Sequence, residues 1–370
     1  MDFRPSSAQQ LLVATARDFL RQHCPPELIQ RLALDARGFD DDLWRGMAEL
    51  GWPGLLVPPE LGGSGGSLLD VILLTEEMGR AGVPGPFVAS AVVATSLLLA
   101  AASADQKKRL LPAMASGERL LSVALFEDND TVATHGRLKG RKLFVTDAHL
   151  AHGLIVAARE GSDLGIFLVP VDRPGVDLLP LDSIGGDRLF EVTFDGVEVG
   201  ADDRLGAVGD GRGLVAAASR AGALARTAEM VGGAQRVLEL AVDHARTRVQ
   251  GGRPIGGYQA IQHTCADLVR DVDASRGLLY AAAWTAEKNP VADGEVAMAK
   301  AYAGEACLAV ARRAHQIFGA IGYCEEHVLH LLHKRTLAAS LDYGDTAHHL
   351  ESVARAIGLV TPSGSSAPGG

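Results

Sequence analysis

The chain has 370 residues, 47% of them hydrophobic and 22% charged, with a formal net charge of −10. That apolar content over that length supports two or three packed domains and excludes a disordered chain. The acidic balance argues against a nucleic-acid backbone or an anionic membrane as principal partner, since both select basic surfaces.

Residues 6 to about 120 repeat apolar side chains at three- and four-residue steps, as in SAQQLLVATARDFLRQH and DLWRGMAELGW, a helical pattern. Within this part VPPELGGSGGS reads as a loop. The segment SLLDVILLTEEMGRAG that follows predicts a helix capped by Ser67 and closed by Gly82. The run from Phe87 to Ala102 includes Ser90, Thr95 and Ser96 and falls short of the roughly 20 apolar residues that span a bilayer, so it predicts a buried core helix. The segment MDFRPSSAQQ lacks the basic-then-apolar order of a signal peptide. Cys24, Cys265, Cys307 and Cys324 have no zinc-type spacing and are too sparse for a disulfide framework, so a reducing cytoplasm is expected.

From about 121 to 205 the texture changes to short β-rich runs: LLSVALFE, GRLKGRKLFVTDA, GLIVAAR, GIFLVPV and LFEVTFDGVEV. Such spacing predicts an antiparallel β-barrel or sandwich of six or more strands. The absence of helices between the strands argues against a parallel Rossmann sheet. From about 211 the helical texture returns with GLVAAASRAGALARTAEMVGGAQRVLELAVDHARTR, rich in strong helix formers and long enough for one extended helix. Three or four helices follow, and the tail TPSGSSAPGG is low-complexity and expected to be disordered. The expected architecture is therefore α+β and multi-domain: helices over 1–120, a β-domain over 121–210, a C-terminal four-helix bundle over 211–360 and a tail over 361–370.

The sequence has no GxxxxGK[ST], HExxH or GxSxG motif. Gly209, Gly211 and Gly213 follow no βαβ strand and read as a loop opening the long helix. His348 and His349 are adjacent, so their side chains diverge by about 100° on a helix, and no metal site is expected. Three C-terminal segments stand out: HARTRVQGGRPIGGYQAIQHTCADL, HQIFGAIGYCEEH and SLDYGDTAHH.

These segments resemble the acyl-CoA dehydrogenase family, and the resemblance covers nearly the whole chain. RVQGGRPIGGYQ, Arg248 to Gln259, is similar to the family's R-x-x-F-G-x-P-I-x-x-F-Q, with Gly251 at the phenylalanine position. QIFGAIGY, Gln316 to Tyr323, is similar to Q-x-x-G-G-x-G-[YF], and LGWPGLLVPPELGGSGGS resembles the G-x-x-P-E-x-x-G-G-x-G loop. The resemblance implies FAD shared with a neighbouring subunit, with Arg248 and Gln259 facing its diphosphate and adenosine part and Gln316 and Gly319 meeting it across the interface. A guanidinium suits phosphate oxygens through paired charge-assisted hydrogen bonds. RKLFVTDA resembles K-x-W-I-T-N, which implies Phe144 against the flavin ring and Thr146 at its polar edge; Thr346 marks the flavin-side turn. Taken singly, Arg248 also reads as a helix-end arginine, Gln259 as an exposed first-turn residue and Phe144 as barrel core.

The reaction implied is α,β-dehydrogenation of an acyl-CoA thioester, with electrons passed on to an electron-transfer flavoprotein. The family's base is a glutamate in a Y-E-G-T segment, and this chain has Tyr343, Gly344, Asp345 and Thr346 there. The alternative position on the long helix falls near Gly222 or Ala223, again without a carboxylate. The T-E-P-x-A-G-S-D loop is reduced to LFEDNDTVATH, with Phe126 for threonine. These departures resemble partner-type chains of heteromeric acyl-CoA dehydrogenases of actinobacterial steroid side-chain breakdown. They imply a heterotetramer in which a homologous partner supplies the glutamate. Gly222 and Ala223 are compatible with a wide pocket for a bulky acyl group. Asp345 is the candidate base of a self-sufficient enzyme, with helix capping as its plainer reading, and Glu229 lies two turns beyond Gly222. A third reading is a silent flavin or acyl-CoA binding protein.

Overall fold

The computed structural model describes residues 5–126, 131–289 and 292–360. The tail at 361–370 and residues 127–130 of the LFEDNDTVATH segment lie outside the described residues.

The N-terminal part consists of α1 (Ser7–His23), α2 (Pro26–Leu34), α3 (Asp41–Glu49), α4 (Leu68–Ala81), α5 (Thr95–Ala101) and α6 (Ala104–Ala115). Helix α4 begins as its sequence predicts: the Ser67 hydroxyl accepts from the Asp70 N–H, the Asp70 carboxylate accepts from the Ser67 N–H, and Gly82 ends it at φ 74°. The apolar run before α5 differs from an ordinary helix. Phe87–Ala94 is π-helical and wholly buried, and the Thr95 hydroxyl donates to the Ser90 carbonyl five residues back. With apolar side chains all round, no 3.6-residue stripe holds this segment to α-helical winding.

The middle part is one eight-stranded sheet built from β1 (Leu121–Ala124), β2 (Val132–Thr134), β3 (Arg137–Thr146), β4 (Gly153–Glu160), β5 (Asp163–Pro170), β6 (Val176–Leu181), β7 (Leu189–Glu198) and β8 (Arg204–Leu205). The order is β6-β7-β3-β2-β4-β5-β8, with β1 beside β4. Pairing is antiparallel except along β4, where β1 runs parallel with Leu121 opposite Gly153 and β2 touches in parallel at Val132 and Arg159. Leu138, Val156, Phe167, Val192 and Phe194 form this part's own core.

The C-terminal part is organised on α7 (Gly211–Thr247), 37 residues long. A hairpin of β9 (Val249–Gln250) and β10 (Arg253–Pro254) leads into α8 (Gln259–Lys288), followed by α9 (Asp293–Phe318), α10 (Leu329–Leu341) and a short α11 (Thr346–Ala356). The bundle of α7 to α10 thus carries α11 as an addition packed on α9. Gly211 and Gly213 lie in the first turn of α7 rather than in the loop before it. Helices α4 and α7 cross with backbones in contact: a Cβ on Gly232 would lie 1.8 Å from the Glu76 carbonyl oxygen, and one on Gly79 would lie 2.2 Å from that of Glu229. This crossing joins the N-terminal helices and the bundle into a single apolar core. Among the described residues no helix is long and apolar enough to cross a membrane.

Candidate functional site

The turn between α10 and α11 is built by two left-handed residues, Tyr343 at φ 55° and Gly344 at φ 101°. The Tyr343 ring is buried against α7 at Gly222, where an added Cβ would lie 2.4 Å from its Cε1. Its other neighbour is Phe126, edge-on at 5.5 Å. Gly222 and Ala223 therefore do not open a wide pocket: both are buried, and the tyrosine ring occupies the space left by the missing side chain. Burial, reinforced by the charge of Asp342, pushes the Tyr343 phenol well above its ordinary value.

Gly344 stands where a base would be. An added Cβ there would lie 2.7 Å from His348 Cδ2 and 2.8 Å from His349 Nε2. The two histidine rings diverge at 90°, His348 to the surface and His349 inward, where its Nε2 donates to the Tyr343 carbonyl at 3.0 Å. Lys300, from α9, is buried and donates to the carbonyls of Ser340 at 2.8 Å and Gly344 at 2.9 Å. Burial lowers the Lys300 ammonium to about 8, against the pull of Asp342, and lowers His349 to about 4 with Lys300 adding to the effect. The turn is held in place by side chains that donate to its backbone.

Asp345 is exposed and caps α11, its carboxylate accepting from the His348 N–H at 2.8 Å. Asp345→Ala is expected to cost about 1 kcal/mol of stability, the usual worth of a cap, with no change in turnover; thermal unfolding and an acyl-CoA assay check the two parts. Thr346 packs its hydroxyl against Gly304 of α9, where a Cβ would approach it to 2.9 Å.

Beside this turn lies a buried ion network that no motif announces. Arg226 of α7 donates through Nε to Asp342 at 2.8 Å and through Nη1 to Glu229 at 2.7 Å, and its Nη2 lies 3.5 Å from Asp187 in the β6–β7 loop. Arg335 of α10 contacts Glu229 and stands 3.6 Å from Asp187. Glu229 is thus pinned between two guanidiniums, which rules it out as a free base. Burial alone would raise the Asp187 carboxyl, but Arg226, Arg335 and Arg188 together hold it below its ordinary value. Asp147 is the contrary case: burial, then the charge of Asp187, raises it to about 7, and its Oδ2 has no hydrogen-bond partner. The one sequence signal was a charged pair, Arg226 and Glu229, set in the small-residue stretch ALARTAEMVGGA.

Phe144 and Thr146 stand at the end of β3. Phe144 sits at φ 57°, at an irregularity in the β3–β7 register, and is 65% exposed, so it is not barrel core. The Thr146 carbonyl accepts from Ser122 of β1, the strand that leads to Phe126. An exposed aromatic ring on a left-handed residue is a costly arrangement that suits a flat ligand.

Arg248, Gln259, Gln316 and Gly319 gather at the other end of α7. Arg248 ends the helix, and its carbonyl accepts from the Ile255 N–H across the hairpin at 2.8 Å. His244, one turn earlier, stacks on Phe318 at 4.4 Å, which brings the Gly319 turn at φ 66° alongside. Arg248, Gln259 and Gln316 are exposed and make no side-chain hydrogen bond or ion pair among the described residues. At Gly251, φ 59°, an added Cβ would lie 2.4 Å from the Tyr258 hydroxyl, so a phenylalanine there would need the Tyr258 side chain to move and would strain the backbone. Gly222 and Arg248 are 26 residues apart on one helix (248 − 222), roughly 39 Å at 1.5 Å per residue. The Tyr343 turn and the Arg248 group thus lie toward different ends of α7.

Comparison with known proteins bears on the family and the fold. The family described as acyl-CoA dehydrogenase, N-terminal domain, matches residues 6–118, and acyl-CoA dehydrogenase, C-terminal domain, matches residues 209–358. The chain is 31% identical over 351 residues to a probable acyl-CoA dehydrogenase of Bacillus subtilis, YngJ, covering 88% of this chain and 92% of that protein. A chain of the ChsE4–ChsE5 complex from Mycobacterium tuberculosis superposes with a TM-score of 0.91 at 29% identity, over 98% of this chain and all of that one. A chain of the Tcur3481–Tcur3483 steroid acyl-CoA dehydrogenase, in a variant form, superposes at 0.86 and 27% identity, over 95% and 98%.

Proposed function

The chain belongs to the acyl-CoA dehydrogenase family, and on that premise we propose that it is the FAD-binding subunit of a heteromeric acyl-CoA dehydrogenase whose catalytic glutamate comes from a homologous partner. The observation that carries the reading is Gly344. The backbone there takes a conformation suited to glycine, and His348 and His349 close the space a glutamate would need. The second possible base position, Gly222, is closed by Tyr343. Asp345 caps a helix, and Glu229 is held by two arginines.

The residues present fit FAD. Phe144 offers an exposed ring face, Thr146 a polar edge beside it, and the free guanidinium of Arg248 suits a diphosphate, with Gln259 and Gln316 as donors nearby. When bound, FAD supplies the hydride acceptor for dehydrogenation of the thioester. Phe144, Thr146 and the Tyr343–Thr346 turn would hold the ring end. Arg248, Gln259, Gln316 and Gly319 would grip the dinucleotide of a neighbouring chain's site, a reading supported by their separation from the turn along α7. The 211–360 bundle would then serve two flavins, its 343–346 turn the one beside the 121–210 domain and its Arg248 end a neighbour's.

The acyl group falls to the partner's pocket, since Tyr343 and Phe126 fill this chain's own. The similarity to a steroid acyl-CoA dehydrogenase favours a bulky acyl thioester such as a steroid side chain. An electron-transfer flavoprotein would reoxidise the complex in the cytoplasm. Co-expression with a family member that retains the glutamate should give a yellow mixed assembly in size-exclusion chromatography. A chain that stays colourless with every such partner would end this reading.

A further inference from the structure

Helices α10 and α11 leave the turn 342–345 without regular hydrogen bonding, and the network beside it supplies a substitute. Arg226 contacts three segments at once: Asp342 in the turn, Glu229 on its own helix, and Asp187 in the loop that leads into β7. Arg335 repeats two of those contacts from α10. Asp187 in turn neighbours Asp147, which directly follows Thr146, and the Asp147 N–H donates to the Arg188 carbonyl at 2.7 Å. The Phe144–Thr146 end of β3 and the Tyr343–Thr346 turn of the bundle are thus linked through the Arg226 guanidinium, by way of Asp187 and Asp342.

We infer that Arg226 is a positioning residue for the flavin site, holding the β-domain loop and the bundle turn in one arrangement by acting through Asp342 on the turn and Asp187 on the loop. It does not touch the cofactor. A guanidinium suits this task because its five N–H donors, spread over three nitrogens in a rigid planar fork, reach three carboxylates farther apart than the donors of one ammonium nitrogen can. The inference rests on FAD binding alone and is independent of whether the base comes from a partner.

The test is FAD release from the assembled holoprotein, followed by the rise of flavin fluorescence. Arg226→Gln and Asp342→Asn should each speed release about ten-fold, the worth of one charge-assisted hydrogen bond, and the double variant should be no faster than the faster single one. Should Arg226→Gln fail to fold, Arg226→Lys keeps the charge, gives up part of the fork and should fall between wild type and Asp342→Asn. Arg276→Gln is the comparison, because Arg276 binds Glu76 at 2.7 Å in a separate network between α8 and α4. It should lower the melting temperature without altering release. Effects of Arg226 and Asp342 that multiply to about a hundred-fold, or release that tracks melting temperature in all variants including Arg276→Gln, would overturn the role assigned to Arg226. A wild-type assembly without FAD would overturn this inference and the cofactor reading together.

Discussion

Gly344→Glu is expected to restore no dehydrogenase activity to this chain and to lower its stability by about 2 kcal/mol or more. Restoring the family's residue at its own position normally restores a lost base. Here the backbone at φ 101° penalises any side chain, and the first added atom would lie 2.7 and 2.8 Å from the rings of His348 and His349. His348 is at the surface, but the His349 ring cannot simply withdraw. His349 is buried and holds the Tyr343 carbonyl, and Lys300 holds the Gly344 carbonyl from below. The expected result is a lower melting temperature with turnover of acyl-CoA still at background, measured with an artificial electron acceptor. A stable Gly344→Glu protein that oxidises acyl-CoA by itself would show that the turn has room for the base.

The second large effect concerns Asp147. Its carboxyl is raised to about 7, from an ordinary 3.8, by burial and by the nearby charge of Asp187. Below the ordinary value it is neutral whether folded or unfolded and does not affect the equilibrium. As pH rises from about 4 to 7 the unfolded chain ionises while the folded one stays neutral, so stability falls throughout that window and levels off above it. Asp147→Asn removes the titration, and the family motif K-x-W-I-T-N has asparagine at this place. The variant should match wild type near pH 4 and exceed it by on the order of 3 kcal/mol at pH 8, with a flatter profile between. Denaturant unfolding at several pH values measures this. An unchanged slope in Asp147→Asn would assign the pH dependence to other groups.

Much of the fold was legible because its signals are local. The Ser67–Asp70 cap, Gly82, the long Ala- and Leu-rich helix and the glycine turn at Gly319 are each written within a few residues. The features that were not legible depend on partners distant in sequence. The parallel pairing of β1 with β4 follows from where the chain crosses back, and the short β2, β6 and β8 take their form from neighbours rather than from their own pattern. The contacts of Gly79 with the Glu229 backbone and of Gly232 with the Glu76 backbone are visible only once two helices cross. At the site, the motifs indicated which residues to consider and that Gly344 lacks a carboxylate. What the glycines did for their surroundings was not readable. Gly222 reads as vacant space in a sequence, yet in the fold it is the seat of a tyrosine ring. Arg226, Asp187, Arg335 and Asp147 come from four separate segments, and only the folded chain brings them together.

Whether this chain holds flavin but not the base is decided by turnover of a bulky acyl-CoA thioester by three preparations. These are the chain alone, the chain with a glutamate-bearing family partner, and the same pair with that glutamate changed to glutamine. The expected result is background turnover by the chain alone, full turnover by the pair, and a loss of at least about 100-fold in the glutamine pair, the usual contribution of a positioned base. Turnover by the chain alone at the rate of the pair would contradict it.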